Sequence, residues 1–228
     1  MLVAALMFTA SLALLLKSSD WFTDKTEILG KRFGVSPFII GVTIVAMGTS
    51  LPELASSVMA VLNNSSEIIF GNVVGSNIAN ILLIMGISSL FLKREKKIEW
   101  NLFHADITFV IASTVILGVV IWDGAFTLGE MLLLLAGFAI YFTYNYDIHK
   151  RNGKRKEKGK RPEFKLWDGA VLIASLALIA VSADVLIKSA VALSQITGIG
   201  TEIVGLTAIA IGTSLPELAV SILSLIHI

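Results

Sequence analysis

Two glutamates, Glu53 and Glu217, lie inside apolar stretches, each within the same octapeptide, GTSLPELA, at Gly48–Ala55 and Gly212–Ala219. A carboxylate at mid-membrane costs about 2.5 to 3.5 kcal/mol on the milder insertion scale, which makes an intramembrane one a functional-site candidate by default. Ala46, Thr49, Ser50 and Glu53 fall at i, i+3, i+4 and i+7, and Ala210, Thr213, Ser214 and Glu217 copy that spacing, so each set lines one helical face. In a third stretch, GNVVGSNIAN (Gly71–Asn80), Asn72, Ser76 and Asn80 recur every four residues, with Gly71, Gly75 and Ala79 forming an adjacent small face. All of these donors are oxygens. Hard cations such as calcium take about 6 to 8 oxygen ligands of this mixed carboxylate, amide and carbonyl kind. The chain has no cysteine, and His104, His149 and His227 do not cluster, which disfavours softer metals. A lone GTS could bond back to its own helix, and Gly71 and Gly75 alone would read as packing. The paired glutamates carry the functional reading.

The elements holding these residues are membrane spans. At 228 residues, 55% hydrophobic and 15% charged, with mean hydropathy +0.83, the chain reads as an all-α polytopic membrane protein. Seven stretches reach span length: about 1–17, 37–62, 67–91, 103–122, 125–145, 166–188 and 202–228. The first lacks the basic segment that precedes the apolar part of a secretory signal. Pro52 and Pro216 have no N–H, so the carbonyls of Gly48 and Gly212 lose their helical partners. A break of that kind is tolerated at mid-membrane only against protein or a hydrated cavity. No Ser/His/Asp set, phosphate loop or dinucleotide fingerprint appears, so neither enzyme chemistry nor a cofactor is expected.

Aligning the chain on itself at an offset of 164 pairs Gly41–Ser57 with Gly205–Ser221, identical at 12 of 17 positions. The match continues upstream through Ser18 with Ser182, Asp20 with Asp184 and Gly34 with Gly198. The repeat unit therefore holds five spans, and an odd number inverts the second copy. The division is a first repeat over 1–146, with its motif region at 41–80, a basic linker over 147–165, and a second repeat over 166–228 whose motif begins at 205. Repeat two would end near position 309, so about 80 residues past Ile228 are expected to be missing. Nine Lys/Arg crowd between Lys150 and Lys165. They and Lys93–Lys97 assign the 147–165 loop to the cytoplasm and the N-terminus to the outside, and they speak for topology or anionic lipid rather than nucleic acid. Asp20 and Asp184 sit at span ends, where solvation explains them, and Trp21, Trp100, Trp122 and Trp167 fall at span boundaries as anchors.

The duplicated GTSLPELA segments with GNVVGSNIAN closely resemble the alpha repeats of the cation/calcium exchanger superfamily, in its prokaryotic sodium/calcium exchanger branch. The resemblance implies a ten-span antiporter of the cell membrane, exchanging sodium for calcium by alternating access at a central site between inverted repeats. By motif position it implies Glu53 and Glu217 as the calcium carboxylates. Thr49, Ser50, Thr213 and Ser214, with the carbonyls of Ala46 and Ala210, would serve sodium, and Ser76 and Asn80 would be the third span's contribution. It also implies that the first and sixth helices, at Met1–Lys17 and Leu166–Lys188, slide across a rigid core. Calcium and sodium are then cargo, and membrane lipid the surroundings; the oligomeric state is not specified. Proton/calcium antiport by the same glutamates, a non-transporting truncated fragment and a channel are the alternatives.

Overall fold

The computed structural model describes residues 1–35, 40–90, 100–152 and 162–226, and among them every regular element is helical. The first apolar stretch continues as one helix, α1 (Leu2–Arg32), whose second half carries charge and whose last turn holds Lys31 and Arg32 beside the free carbonyls. A π-helical turn, Gly41–Val45, then leads into α2 (Ala46–Thr49) and α3 (Leu51–Leu62). The third stretch runs as α4 (Glu67–Ile78), a π turn at Ala79–Ile84, and α5 (Met85–Leu90). After α6 (Trp100–Val120) and α7 (Leu128–Asn152) comes α8 (Leu166–Thr197), ended by Gly198 at φ 71. The chain finishes with α9 (Thr201–Val204), a π turn at Gly205–Ile209, α10 (Ala210–Thr213) and α11 (Leu215–Ile226).

Four stretches are long and apolar enough to cross a membrane, Leu2–Arg32, Glu67–Leu90, Leu166–Thr197 and Thr201–Ile222, and the bent pair Thr43–Thr49 with Leu51–Leu62 makes a fifth. The chain is thus a multi-pass membrane protein. The expected spans at 103–122 and 125–145 fall on α6 and α7, whose described apolar parts, Ile107–Val120 and Leu128–Tyr144, are shorter than a span, so the count of seven is not reached. Lys93–Lys97, most of the basic loop and His227 lie outside the described residues, as do the side chains of Trp100, His104 and His149.

The chain divides into two compact units, one drawn from residues 1–92 and 158–228 and the other from 93–157. The second is a hairpin of α6 and α7, with Phe109 edge-on to Tyr141 at 5.2 Å. Thr127 and Glu130 cap the start of α7 reciprocally, Thr127 N–H donating to the Glu130 carboxylate at 2.7 Å.

The first unit is built on the antiparallel pair α1 and α8. Their buried faces are small and repeat-related: Ser11 matches Ser175, Leu15 matches Ile179 and Ser18 matches Ser182. These serines donate to carbonyls of their own helix, Ser18 to Leu14 at 2.8 Å and Ser182 to Leu178 at 2.6 Å, which satisfies the hydroxyls without bonds across the seam. The seam is pinned at one end. There Lys25 Nζ donates to Asp168 Oδ1 at 2.7 Å, and Arg32 donates to the Phe164 carbonyl at 3.0 Å. Toward its other end α8 is held to α3, where Asn63 Nδ2 donates to Asp184 Oδ1 at 3.0 Å.

Asp168 is only 9% exposed and also accepts the Lys165 N–H at 2.9 Å. Lys25→Met is therefore expected to lower stability by leaving the Asp168 carboxylate with only its backbone partner. Thermal unfolding in detergent measures it, and Lys25→Arg, which keeps the charge, should lose much less.

Candidate functional site

Ser50 has φ −89 and ψ 5 and Ser214 φ −82 and ψ 2, so each leaves the helical region and divides its apolar stretch. The consequence for the prolines is simple. Pro52 occupies the first turn of α3, where its missing N–H would have lacked a helical partner in any case. Pro216 holds the same position in α11. The two halves of the first stretch meet at a bend of 49°, whereas the second passes as one continuous span despite its turn at Ser214. Glu53 and Glu217 therefore each sit in the first turn of a restarting helix, where the positive end of the helix dipole favours a carboxylate.

A π turn precedes each break, Gly41–Val45 before the first and Gly205–Ile209 before the second, at the same offset of 164. Such wide turns are rare and concentrate at functional sites. No residue type in GVTIV or GLTAI announces one, and sequence reasoning missed both.

The two motifs meet reciprocally. The Glu53 carboxylate lies near Thr213 and Glu217, while the Glu217 carboxylate lies near Thr49. One oxygen of each carboxylate, Oε2, is buried with no hydrogen-bond partner. Both threonine hydroxyls also donate backwards, Thr49 to the Ala46 carbonyl at 3.1 Å and Thr213 to the Ala210 carbonyl at 3.4 Å.

The third stretch joins through Asn72. This residue is fully buried, and its Nδ2 donates to Ser56 Oγ at 3.2 Å and reaches the Glu53 carbonyl at 3.5 Å. Ser56 in turn donates to the Glu53 carbonyl at 3.0 Å. Asn72 Oδ1 remains unpartnered, as does the Ser214 hydroxyl. Of the buried side-chain polar atoms without a partner among the described residues, four are therefore oxygens of these motifs: Glu53 Oε2, Asn72 Oδ1, Ser214 Oγ and Glu217 Oε2. Leaving a buried polar group unmet costs about 1 to 3 kcal/mol, and more when it is charged, so this concentration points to a ligand.

The expected donors differ in exposure. Thr213, Ser214, Ala210 and Ser76 are buried, the Ser76 hydroxyl being spent on the Val73 carbonyl at 3.2 Å. Ala46 and Ser50 are exposed and Thr49 is half-buried. Packing explains the difference. Helix α4 covers the second motif through glycine: a Cβ on Gly71 would meet the Leu206 nitrogen at 2.7 Å, and one on Gly75 would meet Ala210 Cβ at 2.6 Å. Helix α1 covers the first motif through Gly48 alone, where an added Cβ would meet Thr23 Cγ2 at 2.7 Å, and leaves its neighbours Ala46 and Ser50 exposed. Asn80 is exposed as well, because the π turn that begins at Ala79 breaks the every-fourth-residue register running from Asn72 to Ser76. That turn nevertheless packs against α11, which carries Glu217. Ser56, absent from the expected donors, was findable only as the residue one turn beyond Glu53.

The described residues hold no group of three or more His, Cys, Asp or Glu suited to a metal ion. The donor set is two carboxylates with amide, hydroxyl and carbonyl oxygens, a mixture of the kind that suits a hard cation.

The chain matches the sodium/calcium exchanger protein family over residues 3–146 and 167–227. It is 31% identical to the inner membrane protein YrbG of Escherichia coli (strain K12), over 97% of this chain and 70% of that one. It is 32% identical to the sodium/calcium exchanger MaX1 of Methanosarcina acetivorans, over 95% of this chain and 73% of that protein. Among solved structures it resembles the sodium-calcium exchanger NCX_Mj soaked with Na+ and Sr2+, with a TM-score of 0.57 and 30% identity over 98% of this chain and 73% of that one.

Proposed function

This chain belongs to the sodium/calcium exchanger family, and we propose that the junction of its two GTSLPELA segments is where calcium and sodium bind in turn during antiport across the cell membrane. The supporting observation is the pair of glutamates, one from each motif, each with a buried oxygen that no protein group satisfies. Two carboxylates so close in an apolar surrounding are costly when empty and ionised. One divalent cation neutralises both, and several monovalent ones do the same. Exchange follows because either load relieves the repulsion and neither can leave without the other replacing it.

The remaining roles follow from position. Glu53 and Glu217 carry the calcium. Thr49, Ser50, Thr213 and Ser214 with the Ala46 and Ala210 carbonyls serve sodium, and Ser76 and Asn80 contribute from the third span. Residues 1–146 and 166–228 act as inverted repeats joined by the cytoplasmic linker 147–165, with the N-terminus outside. Helices α1 and α8, tied together by Lys25 and Asp168, move as one body over the broken helices to alternate access.

The test is calcium uptake into everted membrane vesicles carrying the chain. Uptake driven by an imposed sodium gradient, and absent without one, is the expected result. Uptake driven by a pH gradient alone would replace this reading with proton/calcium antiport, and no uptake under either would leave a non-transporting membrane segment.

A further inference from the structure

A cavity of about 270 Å³ opens beside the broken helices at the end where α1 finishes and α8 begins. Its floor is Val45, Gly48, Thr49, Pro216 and Val220, so it reaches both motifs. Its wall is the second half of α1, contributing Ser19, Asp20, Thr23, Asp24 and Glu27 with Lys17. Three carboxylates thus face this space against one ammonium.

The pairing within that wall is uneven. Lys17 approaches Asp20 at only 3.7 Å, with both side chains more than half exposed, and Glu27 is paired with Lys31. No ion pair engages Asp24 among the described residues. Ser19, bordering the same cavity, is 2% exposed, and its hydroxyl is buried without any hydrogen-bond partner. An unmet buried hydroxyl next to two loosely held carboxylates is a donor set lacking its ligand. The equivalent place in the second repeat is filled differently: Asp184 is bound by Asn63 and Lys188, and Ala183 stands where Ser19 does.

The geometry points to a second, outer cation site in this cavity. A hydrated inorganic cation is held there by Asp20 and Asp24 with the Ser19 hydroxyl, one step before the Glu53 and Glu217 junction. The assignment rests on the exchange reading only for the cation's destination. Its physical effect is to concentrate cations at the mouth of the inner site, because carboxylates lining a low-dielectric cleft raise local cation concentration.

The chain has no cysteine, so Thr23→Cys places a single thiol in this wall. The probes are a cationic and an anionic methanethiosulfonate, applied to the full chain in nanodiscs, with calcium as competitor. Asp20→Asn with Asp24→Asn is expected to lower the ratio of cationic to anionic labelling rates about tenfold and to abolish protection by calcium. Protection should persist in Glu53→Gln, where the inner site is impaired. An unchanged ratio, or calcium protection lost in Glu53→Gln but kept in the aspartate double variant, would overturn the outer site. Val45→Cys, on the cavity floor, serves should Thr23→Cys fold poorly. Because labelling needs no transport, failure of the exchange reading would show separately, as normal uptake by Glu53→Gln and Glu217→Gln.

Discussion

Glu53→Gln and Glu217→Gln should each weaken calcium binding by about 10²- to 10³-fold and stop sodium-driven calcium uptake. The size follows from charge rather than geometry. Glutamine keeps the shape and one oxygen but removes half of the negative charge facing a divalent ion, and removing one partner from a buried charge set costs about 3 to 5 kcal/mol. The two losses should be nearly equal, since each glutamate sits in the first turn of its restarting helix and faces the other motif's threonine. The double variant should lose little more than either single one, because residues acting as a unit are strongly non-additive. Isothermal titration gives the affinities. Stability supplies a second readout of opposite sign. Each glutamine variant should be more stable than the parent without calcium, since one of two buried like charges is gone, yet should lose the calcium-induced rise in melting temperature. A glutamine variant that still gains stability from calcium would remove that glutamate from the site.

What could be read beforehand was whatever the repeat duplicates. GTSLPELA is the same eight residues twice, so the paired breaks and the paired carboxylates follow from alignment alone, whereas the approach of each glutamate to the other motif's threonine does not. The offset pairs Ser18 with Ser182, but nothing in the sequence marked them, or Ser11 and Ser175, as the buried seam between two helices. The π turns were not legible either, because a wide turn is imposed by the packing of neighbouring helices and GVTIV looks like any apolar helix. The turn also takes Asn80 out of the register that Asn72 and Ser76 share, which a straight helix would have kept closer. Asp20 and Asp184 match in sequence and suggested the same solvated role. They differ in surroundings, one beside a cavity and one bonded to Asn63, and no alignment of the chain on itself contains that difference.

The glycines of the third stretch should prove as sensitive as the glutamates, through a different cause. At Gly71 and Gly75 an added methyl group would run into backbone atoms: the Glu202 carbonyl and Leu206 nitrogen in the first case, the Leu206 carbonyl in the second. A flexible side chain could swing aside, but a backbone cannot, so α4 and the 201–213 stretch would have to part. Gly205 approaches from the other side, where its own Cβ would meet the Ile68 carbonyl at 2.7 Å. Overpacking a tight contact costs about 1 to 3 kcal/mol, and a backbone clash belongs at or above the top of that range. Gly75→Ala is therefore expected to lower stability by about 3 kcal/mol or more, and Gly71→Ala by a similar amount. Gly86→Ala in α5 and Gly137→Ala in α7 are the controls, because nothing lies within 4 Å of either added methyl. These should be neutral or mildly stabilising, since alanine exceeds glycine in helix propensity by up to about 1 kcal/mol. Melting in detergent distinguishes the two classes. At equal folded fraction, calcium binding should fall in Gly75→Ala but not in Gly71→Ala, Gly86→Ala or Gly137→Ala, because only the Gly75 methyl presses on Ala210, three and four residues before Thr213 and Ser214. Equal melting for Gly75→Ala and Gly86→Ala would mean that α4 does not pack on the second motif through glycine.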